Sequence, residues 1–286
     1  MAHRPVAGGR ARHDSSDRPR DVLPAPPRGV RGVRRPSGRG PRTDVRSRQP
    51  GASGVVNTSV ISPEVRARVR GLAIPVALAF GRLGLTPNAL TVLGFGIAVV
   101  AAVAAAQQAW VAAGLLVILG GVFDLFDGAL ARATNRVSRV GAFLDSVFDR
   151  AGESLLFLGI AIGCVAVGFV GGALLAAGAM AASFMVSYVR AKSESLGFTP
   201  GTGMANVGIA PREVRLVIAT VGLVLAGAGG GVWQRDCGSL FCVGSDLGPG
   251  SPWLAGSLAI IAVLATITTL QRILYVVREP ANKEHE

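Results

Sequence analysis

Residues 124–149 read DLFDGALARATNRVSRVGAFLDSVFD and contain four aspartates beside long apolar runs, namely Asp124, Asp127, Asp145 and Asp149. The first two are three positions apart and the last two are four apart, so each pair lies on one face of a helix. The connection between the two helices is short, and the two acidic faces can therefore converge. Because four carboxylates in a partly dry site would repel one another strongly, the pattern predicts that something cationic sits between them.

The chain around this stretch is strongly apolar. Of its 286 residues 50% are hydrophobic and 16% are charged, and the mean hydropathy is +0.48, which argues against an ordinary cytosolic enzyme. A membrane-spanning helix needs about 20 apolar residues. Six stretches approach that length: 87–106, 110–130, 140–167, 171–189, 213–228 and 254–277. We therefore predict an all-α integral membrane protein with six transmembrane helices within residues 86–278 and a polar tail over 279–286.

A further helix is predicted before the first span, over residues 62–83. Apolar residues recur there at helical spacing, and Arg66, Arg68 and Arg70 occupy the opposite face. We interpret this segment as an amphipathic helix at the membrane interface; the alternative is a linker helix packed on the bundle. Thr86 and Pro87 are then expected to be the cap and first-turn proline of the first span.

The first 54 residues differ in composition from the rest. Residues 1–50 contain 13 arginines and four aspartates, so they contribute +9 of the formal net charge of +12. With almost no large apolar residues, segment 1–54 is predicted to be disordered. It is an arm that binds anionic lipid or nucleic acid, a solvated extension without a role, or the product of a misassigned translation start near Val55 or Val56. A membrane-tethered nucleic-acid binder is the non-enzyme alternative, although we expect nucleic acid not to be a partner.

The basic residues of the remaining chain predict its orientation. Connections that carry arginine or lysine can all be placed on one side, with only Arg235 on the other. The positive-inside bias then puts both termini and the acidic residues at the cytoplasmic face of a multi-pass plasma-membrane protein. In the opposite loop, Cys237 and Cys242 could form a disulfide in an oxidising space or remain thiols. Cys164, within an apolar run, is expected to be a small buried hydrophobe.

The acidic residues suit a metal site. Two divalent ions would balance the four carboxylates, and all-oxygen ligation favours Mg²⁺ or Mn²⁺ over Zn²⁺. Such a pair of ions is used for phosphoryl transfer. Gly128 leaves room for a phosphate beside the helix, and Arg132 follows about one turn later. The proton relay of a transporter would not need Gly128 or the spacing to Gly141. The remaining alternative is a salt-bridge network with Arg132, Arg136, Arg139 and Arg150.

Together these residues resemble the signature of CDP-alcohol phosphotransferases. The pattern Asp124-x2-Asp127-Gly128-x2-Ala131-Arg132-x8-Gly141-x3-Asp145-x3-Asp149 is similar to that signature at every defined position. The resemblance implies a membrane enzyme, usually homodimeric, in which an alcohol displaces CMP from CDP-diacylglycerol. It also implies that the four aspartates hold two metal ions and that Asp149 is the general base. By the same resemblance, the CDP-lipid contacts are Pro87, Asn88, Ala89, Leu90, Gly128, Arg132 and Ser138.

A second resemblance concerns the acceptor alcohol. The segments Ser187-Tyr-Val-Arg190-Ala-Lys192, Arg215-Leu and Gln-Arg272 are similar to those of bacterial phosphatidylinositol phosphate synthases, many of which have lysine in place of Arg190. Converging cations suit an acceptor that carries its own phosphate. Lys192 and Arg212 are interpreted as ordinary membrane-flanking cations. The alternative acceptor is glycerol 3-phosphate, as in a phosphatidylglycerophosphate synthase. The resemblance implies that inositol phosphate is bound by Ser187, Arg190, Arg215 and Arg272.

Overall fold

The structure is a computed structural model that describes residues 63–198, 207–235 and 246–283. These residues form seven α-helices: α1 (Pro63–Arg82), α2 (Pro87–Ala106), α3 (Trp110–Ala133), α4 (Arg139–Ala166), α5 (Val170–Ser195), α6 (Arg212–Ala228) and α7 (Ser251–Lys283). The all-helical prediction is therefore confirmed. The basic segment 1–54 and the Cys237–Cys242 pair lie outside the described residues.

Four of the helices are long and apolar enough to cross a membrane: Pro87–Ala106, Trp110–Ala133, Val170–Ser195 and Ser251–Arg278. Four such helices are typical of an integral membrane protein. Helix α6 has only 17 residues, and the last 18 residues of α4 still contain Asp149, Arg150 and Glu153. Four of the six predicted spans thus have the length and hydropathy of a membrane span, and the six-span arrangement stays a prediction.

Short polar side chains fix where two helices begin. Thr86 precedes α2 in an extended conformation, and its hydroxyl oxygen accepts a hydrogen bond from the Ala89 amide at 3.2 Å, with Pro87 in the first turn. Ser138 does the same for α4, where its hydroxyl oxygen accepts from the Gly141 amide at 2.9 Å. Each cap satisfies one of the amides that the first turn leaves without a helical partner. The predicted cap at Thr86 is confirmed.

The helices α2 to α7 form a closed ring. Going round the ring, each helix packs on the next in the order α2, α3, α6, α7, α5, α4, and α4 packs on α2. Helix α1 packs on the outside of α3. The start of α2, the end of α3 and the starts of α4 and α6 therefore meet at one end of the bundle. We call this the acidic end because it contains all four aspartates of the 124–149 stretch.

Glycines let α2 and α4 approach backbone to backbone. A β-carbon on Gly159 would lie 2.1 Å from the carbonyl oxygen of Ala102, and one on Gly163 would lie 2.3 Å from that of Ala105. Atoms cannot be this close, so only glycine fits at these two positions. Nearer the acidic end, the rings of Phe95 and Phe148 stack across the same interface with their centroids 4.7 Å apart.

The core has two parts. The larger one includes Trp110, Phe157, Leu223 and Leu258 inside the ring, and Cys164 is fully buried among them, as predicted. The smaller cluster seats α1: its Ala73 and Ala77 pack against Leu90 of α2 and against Ala129 and Leu130 of α3. The outer face of α1 exposes Ile74 and Val76, and Leu83 is exposed directly after the helix. Helix α1 thus packs on the bundle with apolar groups left outside, and its position at the membrane interface stays a prediction.

Candidate active site

Asp127 lies inside the acidic end, where α2 contacts α3. Its carboxyl group is almost fully buried, with 5% of the residue exposed. The Thr91 hydroxyl donates a hydrogen bond of 2.8 Å to Asp127 Oδ2, and its oxygen lies 3.1 Å from the Pro87 carbonyl one turn earlier in α2. Thr91 therefore fixes the direction of one carboxylate oxygen of Asp127.

The guanidinium group of Arg212 bridges Asp124 and Asp149. Its Nη1 atom is 3.1 Å from Asp124 Oδ2 and 2.7 Å from Asp149 Oδ1, so these two oxygens are no farther apart than the sum of those distances. The predicted convergence of the two acidic helix faces is thereby seen for this pair. The cation between them is an arginine of α6, and the interpretation of Arg212 as a mere membrane-flanking residue was wrong.

The carboxylate groups of the four aspartates do not surround one common position. Within the described ranges, no group of three or more carboxylate, thiol or imidazole side chains is placed to hold one metal ion. Asp127 and Asp145 face one cavity, whereas Asp124 and Asp149 face a second hollow together with Arg212. Arg150, a cation of the salt-bridge alternative, hydrogen-bonds instead to Ser146 on its own helix.

The first cavity collects most of the residues expected to contact the CDP-lipid. It has a volume of about 280 Å³ and opens between the starts of α2 and α4 and the end of α3. Gly128 lies on its wall, where a β-carbon would come within 3.2 Å of the Arg132 guanidinium. A side chain at position 128 would thus crowd the arginine that faces the cavity. The lining includes Pro87, Asn88, Asp127, Gly128, Arg132, Ser138 and Asp145.

Two of the expected CDP-lipid residues do not line this cavity. Leu90 is 0% exposed because it packs in the cluster that seats α1. Ala89 contributes its amide to the Thr86 cap. Their side chains point away because positions 89 and 90 lie on other faces of α2 than Pro87, Asn88 and Thr91. Ala89 and Leu90 therefore help to cap and pack α2 and do not line the cavity.

The second hollow is mostly apolar. Phe95, Phe148, Leu116 and Val117 line it, and it has a volume of about 40 Å³. The charged residues that line the hollow are Asp124, Asp149, Glu153 and Arg212. Thr91 lines both this hollow and the first cavity, so the two lie on either side of one side chain. A polar cavity and an apolar hollow thus adjoin at the carboxylates.

Arg215 and Glu153 form a buried ion pair between α6 and α4. Arg215 is 1% and Glu153 5% exposed. The Nε and Nη2 atoms of Arg215 each donate to one oxygen of Glu153 at 2.8 Å, and Nη1 donates to the Ala210 carbonyl at 2.9 Å. This two-pronged geometry is the strong form of an arginine–carboxylate contact. All three side-chain nitrogens of Arg215 already donate hydrogen bonds within the protein. The sequence had instead led us to expect that Arg215 binds the acceptor phosphate.

The other expected acceptor residues are spread over α5 and α7. Arg272 is buried, and its Nε and Nη1 atoms donate to the carbonyls of Val207 and Val186 at 3.0 and 2.7 Å. Arg190 is half-exposed and pairs with Glu194 one turn later. Ser187 lines a small pocket beside Glu153.

Comparison with known proteins decides the family. A model of the CDP-alcohol phosphatidyltransferase family matches residues 84–268, which contain all four aspartates and helices α2 to α6. The chain belongs to this family. All of α1 and the end of α7 lie outside the match, so the phosphatidyltransferase domain corresponds to the helix ring.

Relatives of the chain are named as synthases of archaetidylinositol phosphate or phosphatidylinositol phosphate. The chain is 31% identical over 222 residues to the archaetidylinositol phosphate synthase of Methanothermobacter thermautotrophicus, covering 77% of this chain and 96% of that one. It is 33% identical over 181 residues to the phosphatidylinositol phosphate synthase of Mycobacteroides abscessus, covering 62% and 77%.

Solved structures of a family member share the fold. The crystal structure of Mycobacterium tuberculosis phosphatidylinositol phosphate synthase with CDP-DAG bound aligns with a TM-score of 0.58 and 26% identity, over 71% of this chain and 92% of that one. The same enzyme has been crystallised with manganese and citrate, and that structure also aligns with a TM-score of 0.58. The resemblance stated from the sequence motif is confirmed.

Three residues of this phosphatidyltransferase site were not identified as functional from the sequence: Thr91, Glu153 and Arg212. Thr91 had a local signal, because it lies one turn after Pro87 on the same face of a helix. Glu153 follows Asp149 by four residues, which places it on the same face of α4. Nothing local marks Arg212, because its partners are 88 and 63 positions away in the chain.

Proposed function

We propose that this phosphatidyltransferase moves the phosphatidyl group of CDP-diacylglycerol to inositol phosphate, giving phosphatidylinositol phosphate and CMP. The observation that carries the proposal is the cavity in which Asp127, Asp145, Gly128 and Arg132 meet at the acidic end. The names of the relatives support inositol phosphate as the acceptor. The crystal structure of the mycobacterial enzyme with CDP-DAG supports the donor.

The four aspartates would hold divalent metal, with two ions per site as the expectation. Their fit to a cation is supported by the donor set, which is all carboxylate oxygen, the ligand type that Mg²⁺ and Mn²⁺ prefer. It is also supported by Asp124 and Asp149, which already share one positive group. The manganese complex of the mycobacterial relative agrees with this choice. When bound, such ions would offset the negative charge of the diphosphate.

Asp149 would take the proton of the attacking hydroxyl. In the transfer, the acceptor oxygen forms a bond to the phosphatidyl phosphorus, and the bond from that phosphorus to CMP breaks. CMP leaves with the electron pair of the broken bond, and the hydroxyl proton passes to the Asp149 carboxylate. About a quarter of the Asp149 side chain is accessible, as a base that meets a substrate requires. Arg132, beside Gly128 on the cavity wall, would bind the diphosphate, and Pro87, Asn88 and Ser138 would border the nucleotide.

The acceptor phosphate would bind at the arginines near the ends of α5 and α7. Arg190 and Ser187 have exposed surface, so they would touch the phosphate directly. Arg272 and Arg215 lie behind them in the protein. The Arg272 charge would add to the positive potential, whereas the charge of Arg215 is offset by Glu153. The energetic reason is that a phosphate monoester, already solvated in water, enters this region only if several cations replace the lost water.

The membrane orientation and the oligomeric state complete the proposal. Arg136, which follows α3, and Arg139 and Arg212, the first residues of α4 and α6, lie at the acidic end. The positive-inside bias therefore supports a cytoplasmic active site in the plasma membrane. Membrane lipid would contact the outward faces of the helices, which expose Leu115, Ile118 and Phe184, among others. A homodimer is the expected assembly, and chemical cross-linking in intact membranes tests it.

One assay tests the function. Purified protein in micelles is mixed with CDP-diacylglycerol, Mg²⁺ and one of four acceptors: inositol phosphate, inositol, glycerol 3-phosphate or serine. We expect CMP release with inositol phosphate, and its loss when EDTA removes the metal. Equal rates with free inositol would contradict the phosphate site, and a preference for glycerol 3-phosphate would contradict the proposed acceptor.

A further inference from the structure

Arg212 occupies the position between two carboxylates that a metal ion would also seek. Its Nη1 atom is within 3.1 Å of both Asp124 and Asp149. About a quarter of each of the three side chains is exposed, so the contact is partly shielded from water and is stronger than an ion pair on the open surface. A metal ion and the Arg212 guanidinium cannot both bind the same oxygens of Asp124 and Asp149 at the same time.

We propose that Arg212 is an internal counter-cation that holds Asp124 and Asp149 together when no metal is bound and is displaced when metal binds. The inference rests on the proposed metal site. Without Arg212, the end of α3 and the start of α4 would present unpaired carboxylates to each other. Arg212 offsets that repulsion, and the same contact becomes a cost that each metal-binding event must overcome.

The way Arg212 is held suits a group that moves. Its Nε atom is buried and has no hydrogen-bond partner among the described residues, so the two aspartates are the contacts that fix the guanidinium. Arg215, one turn later on α6, has all three nitrogens bonded to Glu153 and Ala210. Two arginines in one turn thus differ: Arg215 is anchored, and Arg212 is held by the groups that would bind metal.

The proposal predicts the direction of a change in metal affinity. If Arg212 only positioned the aspartates for metal, its removal would weaken binding. If it competes, its removal strengthens binding. Couplings between two ligands of one protein are typically about 5- to 150-fold in affinity, so we expect Arg212→Gln to bind Mn²⁺ at least about fivefold more tightly than the wild type.

The test measures free Mn²⁺ by its paramagnetic resonance signal during titration of the full-length protein in micelles. The matched control is Lys192→Gln, which removes one exposed positive charge at the same end of the bundle; its affinity should equal that of the wild type. A smaller gain for Arg212→Gln, or weaker binding, overturns the proposal. Absence of Mn²⁺ binding in every variant also overturns it, together with the metal site.

A measurement on the wild type covers the case in which Arg212→Gln does not fold. Phenylglyoxal modifies accessible guanidinium groups, and peptide mass spectrometry gives the rate at each arginine. We expect Mn²⁺ to speed modification of Arg212 and to leave exposed Arg82 unchanged. An unchanged or slower rate at Arg212 overturns the proposal. Neither experiment uses CMP release, so a failure of the proposed transfer reaction is recognised separately.

Discussion

A single methyl group at position 159 tests whether the close approach of α2 and α4 positions the active site. In Gly159→Ala the new β-carbon would lie 2.1 Å from the Ala102 carbonyl oxygen and 2.8 Å from its carbon. Real β-carbons do not come closer than 3.0 Å to such atoms. Because both neighbours are backbone atoms, no side chain can rotate away, and the helices must separate by about 1 Å, a misplacement that costs about 100-fold in rate when it reaches reacting groups.

The separation reaches the site because α2 and α4 contact each other again at the acidic end. A β-carbon on Gly141 would be 3.1 Å from the Asn88 side-chain oxygen, and both residues line the cavity. Overpacking of this kind also destabilises by about 1–3 kcal/mol. We therefore expect Gly159→Ala to lower the rate of CMP release about 100-fold and to lower the unfolding temperature in micelles.

The matched control is Gly96→Ala on α2, where a β-carbon would meet nothing within 4 Å. Alanine favours the helix over glycine by about 1 kcal/mol, so this variant should be as stable as the wild type or more so, with normal CMP release. Wild-type rate and unfolding temperature in Gly159→Ala would refute the reasoning. An equal loss in Gly96→Ala would show that α2 tolerates no substitution, whatever its contacts.

Three further substitutions test the site. Asp149→Asn keeps the shape and removes the base, so CMP release should fall at least about 100-fold at an unchanged unfolding temperature; normal turnover would contradict the assignment. Thr91→Val removes the donor to Asp127 and should lower Mn²⁺ affinity or turnover about 10- to 100-fold, whereas Thr91→Ser should not, and equal losses would count against the hydrogen bond. Glu153→Ala should destabilise by about 3–5 kcal/mol in thermal unfolding because the Arg215 charge stays buried, and leucine at both positions should recover most of the loss; a double variant no better than the single one would contradict this.

Local spacing was enough to predict the acidic motif and the start of α2. Asp124 and Asp127 had to share a face of one helix because they are three residues apart, and a serine or threonine before an apolar run caps the helix that follows. The same reasoning grouped Gly128 and Arg132 with the aspartates, and both residues line the cavity beside Asp127 and Asp145. It did not separate Leu90 from Asn88, because which face of α2 is covered depends on where α1 docks.

Contacts between distant segments could not be predicted in this way. The ring order places α6 between α3 and α7, and that order depends on the packing of whole helices. Arg212 and Arg215 are three residues apart on α6, yet they meet different carboxylates on α3 and α4. Without the ring order, both arginines look like the basic residues that flank any membrane span.

The short segment before α6 links the expected acceptor residues to the carboxylates. The Ala210 amide donates to the Thr268 hydroxyl at 3.0 Å, and Arg272 donates to the Val207 carbonyl. Between them Gly208 has a φ of +114° and lies so close to Thr268 that a β-carbon would be 2.3 Å from its methyl group. Helix α7 therefore fixes the residues that lead into Arg212.

It follows that Arg272 affects the carboxylates as well as any acceptor. Loss of the Arg272 guanidinium would release the Val207 carbonyl, loosen the start of α6 and so shift Arg212 away from Asp124 and Asp149. A lower rate in Arg272→Ala does not by itself identify a phosphate ligand. The two roles separate in the kinetics: a lost phosphate contact raises KM for the acceptor and leaves Mn²⁺ affinity unchanged, whereas a shifted Arg212 changes Mn²⁺ affinity with no acceptor present.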